Sequence, residues 1–397
     1  MKEIKRKLAI LESIWRNRFW DYDYLLKQIE YDKKLLSNYP GVAFGYLGDM
    51  LQIIEGYLQK DIQIKEDCFL PTIGLLQIIY IQQDLIDELL QVFGLQTSLM
   101  KDKDPNRTIR NDLAGHPIRR KRSKEEKGAV LKSYSLFSYE ATTHNIQYLR
   151  YRQETNFAFE LQEHNVSDII KKHKEFLCKY LDLIFQKAIS ILKKFSKLNK
   201  ELLSIHSKID FLRLIEQVDI RFNYFFKEDY VFEKEYIIKC WQDKEQHPRY
   251  RYAIDKFNTD LSEMLTGVIT SIRELEKEWN KPDQNYTEND TVEFEESLFF
   301  VIEPDSTDNT TYLNEAGETL YDDENPLIFD KSQLIDHYEL GKLYTNHPIY
   351  GIEHFKQKYA FDSEIILELE NMNKYIGRNE FYCSYNYFRD VLLLRHI

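Results

Sequence analysis

The residues whose types and spacing suit chemistry lie together in Arg107-Thr-Ile-Arg110-Asn111-Asp112-Leu113-Ala114-Gly115-His116-Pro117. Arg110 and His116 stand six positions apart. Arginine is a fixed cation whose forked donors match phosphate oxygens, and histidine is the side chain that exchanges protons near neutrality. RNA asks for little more, because the ribose 2'-hydroxyl is its own nucleophile and needs no metal-bound water. What remains to be supplied is an acid or base and a positive charge beside the phosphate as negative charge builds. Cleavage by this route leaves a 2',3'-cyclic phosphate, or the 3'-phosphate derived from it, and a 5'-hydroxyl. Asn111 is expected to orient His116, and Asp84 or Asp87 to hold Arg110 from the preceding helix.

On a continuous α-helix, positions six apart are rotated by about 240° and separated by about 9 Å, so the two side chains would not converge. Pro117 relaxes that geometry. The residue before a proline avoids the helical region, which places His116 at a helix end or just outside it. The basic run Arg119-Arg120-Lys121-Arg122-Ser123-Lys124 follows at once and, with Arg107, suits an RNA backbone. Tyr148, Arg150 and Arg152 alternate along one strand and are candidates for stacking and phosphate contact.

The segment resembles the signature of the HEPN superfamily, in which four to six residues separate an Arg from a His and a polar residue often follows the Arg. Here five intervene and Asn111 takes the polar position. Gln82-Gln83-Asp84 in the helix before it adds to the resemblance, which covers about residues 40–195. It implies a HEPN-like helical bundle and a metal-independent endoribonuclease with no cofactor. Arg110, His116 and Asn111 would be catalytic and Asp84 and Asp87 supporting. In such enzymes two copies of the motif line one cleft. With one motif expected per chain, the implied assembly is a homodimer through the motif face. The resemblance also implies a toxin or phage-defence setting, with a regulatory partner or antitoxin. Some HEPN toxins carry a Tyr two residues after the His that a nucleotidyltransferase modifies. Ile118 stands there, so that route of neutralisation is not expected.

Helical periodicity surrounds the motif. Residues 3–37, about 42–60, about 70–93 and 106–115 read as helices, as do 165–196, 197–225, 252–280 and 331–397. Residues 133–141, 145–153 and 155–161 alternate in twos and predict a small antiparallel meander. The fold expected is mainly α: a helical domain over 1–196 with a β insertion near 133–161, then a second mostly helical domain over 197–397 with an acidic insertion near 281–330.

Composition agrees with helix, since 397 residues include only 13 Gly and 9 Pro. Four cysteines lack metal-ligand or paired spacing. The opening residues lack a signal peptide's apolar core and no long uninterrupted apolar run occurs, so a cytoplasmic chain with no membrane partner is expected. The net charge of -12 is unevenly placed. Residues 281–330 carry fifteen acids and one Lys, which leaves the other 347 residues at about +2. Residues 101–152 hold thirteen Lys or Arg against six acids. A polyanion responds to that local excess rather than to the total. Two other readings use the same residues: a non-catalytic RNA- or nucleotide-binding module, and a scaffold that docks a partner.

Overall fold

The structure, a computed structural model, describes residues 1–31, 37–59, 65–96, 102–122, 129–138, 141–226, 234–281, 340, 341, 343 and 348–396. The acidic stretch expected at 281–330 lies, beyond Lys281, outside the described residues, as does Lys124. The chain forms two compact units, mainly helical, and a small four-stranded antiparallel sheet lies in the first. The boundary expected near 197 falls inside a helix that runs on to His206. The first unit takes residues to Ser204 and then regains chain from Ile220 and from Thr266.

The first unit begins with α1 (Lys2–Ile14), a π-helical turn (Trp15–Phe19) and the short α2 (Asp23–Leu26). One helix over 3–37 was the expectation; extended backbone at Tyr22 (φ -105°, ψ 111°) interrupts it. Trp15 and Phe19 are buried, their rings parallel with centroids 6.1 Å apart, so this aromatic cluster is core and not a nucleic-acid surface. Next come α3 (Tyr39–Leu58) and α4 (Lys65–Val92). Leu75, Leu76, Ile79, Ile86, Leu89 and Leu90 recur at helical spacing along α4 and all are buried. Gly94, at φ +63°, supplies the left-handed residue that ends the helix, and Leu95 N–H closes onto Leu90 O at 2.8 Å. By length and composition alone Cys68–Val92 could cross a membrane. Here its apolar stripe is core, and Gln82 and Gln83 are buried in hydrogen bonds.

After α5 (Asn106–Arg110) and a second π-helical turn (Asn111–Gly115), the chain enters β1 (Ile118–Arg122), β2 (Ala129–Phe137), β3 (Asn145–Arg152) and β4 (Phe159–Asn165), ordered 1-2-3-4. The meander was expected to have three strands. The basic run forms the fourth, an edge strand; charged side chains are favoured there and hide the alternation. The inner sheet face buries Phe137, Ile146 and Tyr148 against Leu75, Ile79, Ile109 and Leu113, and against Ile169 and Ile170 of α6 (Val166–His206). Burying side chains such as Ile79 and Ile109 contributes roughly 2 kcal/mol each. This core fixes where α5 ends.

The second unit contains α7 (Phe211–Phe225) up to Asp219, α8 (Lys234–Gln242) and α9 (Pro248–Trp279) up to Leu265. Then follow α10 (Pro348–Lys358), α11 (Ser363–Lys374), α12 (Asn379–Tyr387) and a π-helical turn (Phe388–Leu392). Ile352, Phe355, Ile365, Leu369, Met372 and Phe388 form its centre. Asp362 caps α11 by accepting from Glu364 N (3.0 Å) and Ile365 N (3.1 Å). Within the core Arg249 donates to Glu368 (2.8 Å) and to Ser384 Oγ (2.9 Å).

Candidate phosphodiester site

Gln77, Tyr80, Gln83, Asp84 and Asp87 follow one another at helical spacing along α4, and residues 103–110 lie against that face. Gln83 Nε2 donates to Lys103 O (3.3 Å) and Asn106 Nδ2 to Leu76 O (3.2 Å). Buried Lys103 is ion-paired to Asp87 and lies 3.6 Å from Asp84; Arg107 is ion-paired to Asp84. Asp84 and Asp87 therefore do not hold Arg110, as had been expected. They stand seven and ten residues beyond Gln77, roughly 10–15 Å along the helix, and Arg110 lands on the earlier turn. Gln82 points the other way, toward Leu47 O (3.0 Å) and His173 (2.7 Å). The Gln82-Gln83-Asp84 run thus ties α4 to the core on one side and to the segment before the motif on the other.

Arg110 is half-buried and held from four directions. Its Nε donates to Gln77 Oε1 (3.1 Å) and its Nη1 to Asn111 Oδ1 (3.1 Å). The guanidinium lies over the Tyr80 ring, 4.4 Å from the centroid, a ring it shares with Arg107 at 4.5 Å. Gly115 completes the seat. A Cβ there would stand 2.5 Å from Arg110 Nη1 and 3.0 Å from Asn111 Oδ1. A larger residue would displace the guanidinium from this seat. Nη2 keeps both donors unused among the described residues, and an arginine with Nε and Nη1 engaged can still offer that edge to a phosphate oxygen.

The π-helical turn carries the chain from Arg110 to His116, whose N–H closes onto Asn111 O at 2.7 Å. One extra residue in the turn changes the angular relation of a continuous α-helix, and the guanidinium comes to rest against the residue directly before His116. His116 itself leaves the helix (φ -145°, ψ 64°) with its imidazole exposed and no described partner. Asn111 was expected to orient that imidazole. Its side chain binds Arg110 instead, and only its backbone carbonyl touches His116.

Asp112, also inside the motif, is buried and receives Tyr148 Oη (3.1 Å), Arg119 Nη2 (3.1 Å) and Arg150 Nη1 (3.4 Å). Burial first, then the Asp112 charge, pushes the Tyr148 hydroxyl well above the usual phenol range. Arg152 grips Glu160 in a fork (2.9 and 3.0 Å), and that hydrogen bonding holds the Glu160 carboxyl below its ordinary value. Tyr148, Arg150 and Arg152 were expected on an open face. Register pairs Tyr148 with Phe137, which puts this row on the inner side of the sheet, and Tyr148 is buried. Arg119 and Arg150 buttress the turn through Asp112, and Arg152 binds Glu160 on the neighbouring strand. Arg120 and Lys121 are exposed on β1, and Arg122 ends that strand.

One Arg-to-His motif per chain was expected, yet Arg389 and His396 also fit, with six residues between them. Arg389 likewise follows a helix, in a π-helical turn, and its guanidinium lies over Tyr385, 5.3 Å from the centroid. The next residue again clasps it, through bonds of 2.5 and 2.9 Å. Here that residue is Asp390, a carboxylate, and it neutralises the arginine; Arg110 pairs with a neutral amide. Loose spacing was the signal available, and the charge of the following residue separates the two. Among the described residues no three His, Cys, Asp or Glu gather as a metal-binding group. No family model, curated protein or solved structure matches the chain.

Proposed function

We propose that the chain is a metal-independent endoribonuclease of the HEPN type, acting as a homodimer in which two copies of Arg110 and His116 face one phosphodiester. The observation that carries this reading is the seat of Arg110. Gln77, Asn111, Tyr80 and the gap at Gly115 hold its guanidinium next to the residue preceding an exposed histidine, with Nη2 left to bind. His116 moves the proton between the 2'-hydroxyl and the leaving 5'-oxygen, and Arg110 stabilises the charge gathering on the phosphoryl oxygens. One guanidinium and one imidazole provide a single charge and a single acid/base group, so the second set comes from another copy. A toxin or phage-defence role, a regulatory partner or antitoxin, and cytoplasmic residence belong to the same proposal.

The test is incubation of the purified chain with total RNA in EDTA, followed by analysis of fragment ends. Fragments with 2',3'-cyclic phosphate or 3'-phosphate and 5'-hydroxyl termini support the reading, provided Arg110→Ala and His116→Ala abolish them. Metal-dependent cutting or 5'-phosphate ends would overturn it. Affinity for RNA without product favours the binding module, and no affinity at low salt favours the scaffold.

A further inference from the structure

The outer face of the sheet, opposite the side that buries Phe137 and Tyr148, is open and carries two parallel apolar rows. Cross-strand partners share a face, so Ile118, Tyr134, Tyr151 and Phe159 make one row through successive pairs. Leu136, Leu149 and Leu161 make the next, two residues along each strand. Ile118 is 63% exposed, Leu136 56%, Phe159 69% and Leu161 52%. Neither row contains a charged residue. Large apolar side chains left open side by side mark an interaction surface.

The aromatic row is firm. Tyr134 and Tyr151 stack across the strands with centroids 4.5 Å apart and planes within 10°, and Phe157 closes the column on the other side of Tyr134 (6.1 Å, 23°). His116 belongs to the same surface. Ser135 N donates to Pro117 O at 2.9 Å, which continues the β1–β2 pairing one residue back from Ile118. One step further back, exposed His116 comes level with Leu136, at the β1 end of the aliphatic row.

We propose that this face is where two copies of the chain meet, sheet on sheet, and that the contact completes the composite site. Self-complementarity selects a second copy as the occupant. A two-fold axis lying between the rows and parallel to them sets the aromatic row of each copy on the aliphatic row of the other: Tyr134 over Leu136, Tyr151 over Leu149 and Phe159 over Leu161. Glu163, one row beyond Leu161, ends roughly 20 Å from its counterpart, where salt screens the repulsion. The same axis also brings the histidines together. Sheets pack about 10 Å apart and the rows are about 7 Å apart, so the two His116 Cα atoms come within roughly 12 Å. They do so along β1, an edge strand, where the stack opens to solvent. Two imidazoles then reach one phosphodiester, and each copy contributes a residue that the other's site lacks. The proposal rests on the ribonuclease reading for its chemistry and adds which surface joins the copies.

The experiment is sedimentation velocity of the full-length chain over a range of concentrations, with cleavage of total RNA in EDTA followed on the same samples. Phe159→Lys and Leu161→Glu change side chains so exposed that the fold should not depend on them; circular dichroism checks this, and Phe159→Lys alone decides the face if Leu161→Glu does not fold. A four-stranded face is at the small end of specific interfaces, so the wild-type chain should form a reversible dimer with Kd on the order of micromolar. Either variant alone should raise Kd at least about a hundredfold, because the substitution occurs twice in the dimer. Mixed together, the two should regain dimer and cleavage, since the axis puts the introduced ammonium of one copy over the introduced carboxylate of the other. Val42→Lys on α3, 68% exposed, should leave the dimer intact. A wild-type chain that stays monomeric overturns the interface, as does a dimer that Val42→Lys breaks and the folded sheet variants do not. Dissociation by both variants without recovery on mixing overturns the two-fold arrangement. Cleavage that depends on His116 in a chain the sheet variants do not dissociate sinks the interface alone. A dimer that behaves as expected and cuts no RNA sinks the ribonuclease reading alone.

Discussion

His173 should make the first unit acid-sensitive. The ring is fully enclosed on α6, and burial lowers its pKa from 6.5 to about 3. The tautomer follows from its partner. Gln82 Nε2 donates to Leu47 O, so Gln82 Oε1 is the acceptor and His173 Nε2–H donates to it at 2.7 Å. Among the described residues Nδ1 has no partner, so a second proton would leave an unpaired charge in the core. The unfolded chain binds that proton below its ordinary pKa and the folded chain does not. Stability from this group is therefore complete above pH 6.5 and erodes as pH falls toward about 3. At about 1.4 kcal/mol per pH unit the loss is roughly 2 kcal/mol at pH 5 and at most roughly 5 kcal/mol near pH 3. His173→Gln keeps an amide donor for Gln82 and does not titrate. Denaturant unfolding at pH 7.5 and pH 5, followed by tryptophan fluorescence, should show the wild-type chain losing about 2 kcal/mol more than the variant across that interval. Equal losses would refute the reasoning, as would an imidazole that titrates near neutrality by NMR.

Arg110→Ala should lower cleavage by at least about a hundredfold, and Arg110→Lys should not restore it, because a compact ammonium lacks the planar fork that lies on Tyr80 and presents separate edges to Gln77, Asn111 and a phosphate; fragment yield per unit time reads both. Gly115→Ala would put a methyl group 2.5 Å from Arg110 Nη1. Cleavage should fall roughly tenfold or more with the melting temperature little changed, because a misplaced catalytic group is costly even where the fold survives. Asp112→Ala should destabilise the chain by about 2 kcal/mol, less than a fully buried pair, because Arg119 and Arg150 retain access to water. Asp362→Ala should cost about 1 kcal/mol, read in the same unfolding experiment, through loss of the α11 cap.

Long elements were legible in the sequence. Apolar residues recur along α4 over many turns; α6 was legible only as far as 196, ten residues short of its end at His206. β1 was not legible, because an edge strand made of Arg and Lys reads as a solvated loop. The interior face of β3 was misread by one residue, and a shift of one inverts a strand. Tyr148 lies in register with buried Phe137, whereas Tyr151 pairs with Tyr134 outside. At the site, the Arg-to-His spacing was visible and the seat was not. Gln77 and Tyr80 precede Arg110 by about thirty residues and meet it only through helix packing. Nor did any residue type announce the π-helical turn. Gly115 gave no sign in the sequence of its place against the Arg110 guanidinium.

The basic excess of residues 101–152 describes the sequence better than it describes the surface. Lys103, Arg107, Arg119, Arg150 and Arg152 are each bound to a carboxylate of the same unit. The pairs to Asp84, Asp87 and Asp112 fix the segment before the motif and the turn inside it, Arg152 joins β3 to β4, and a phosphate would have to compete with these carboxylates for the cations. Among the described residues of this stretch Arg110 differs, since its hydrogen-bond partners are the neutral amides of Gln77 and Asn111. With neighbouring charges paired and its own partners a neutral amide on each side, the Arg110 guanidinium keeps its charge for whatever meets Nη2, and Gly115 of its seat adjoins His116, which is open to solvent at the helix end.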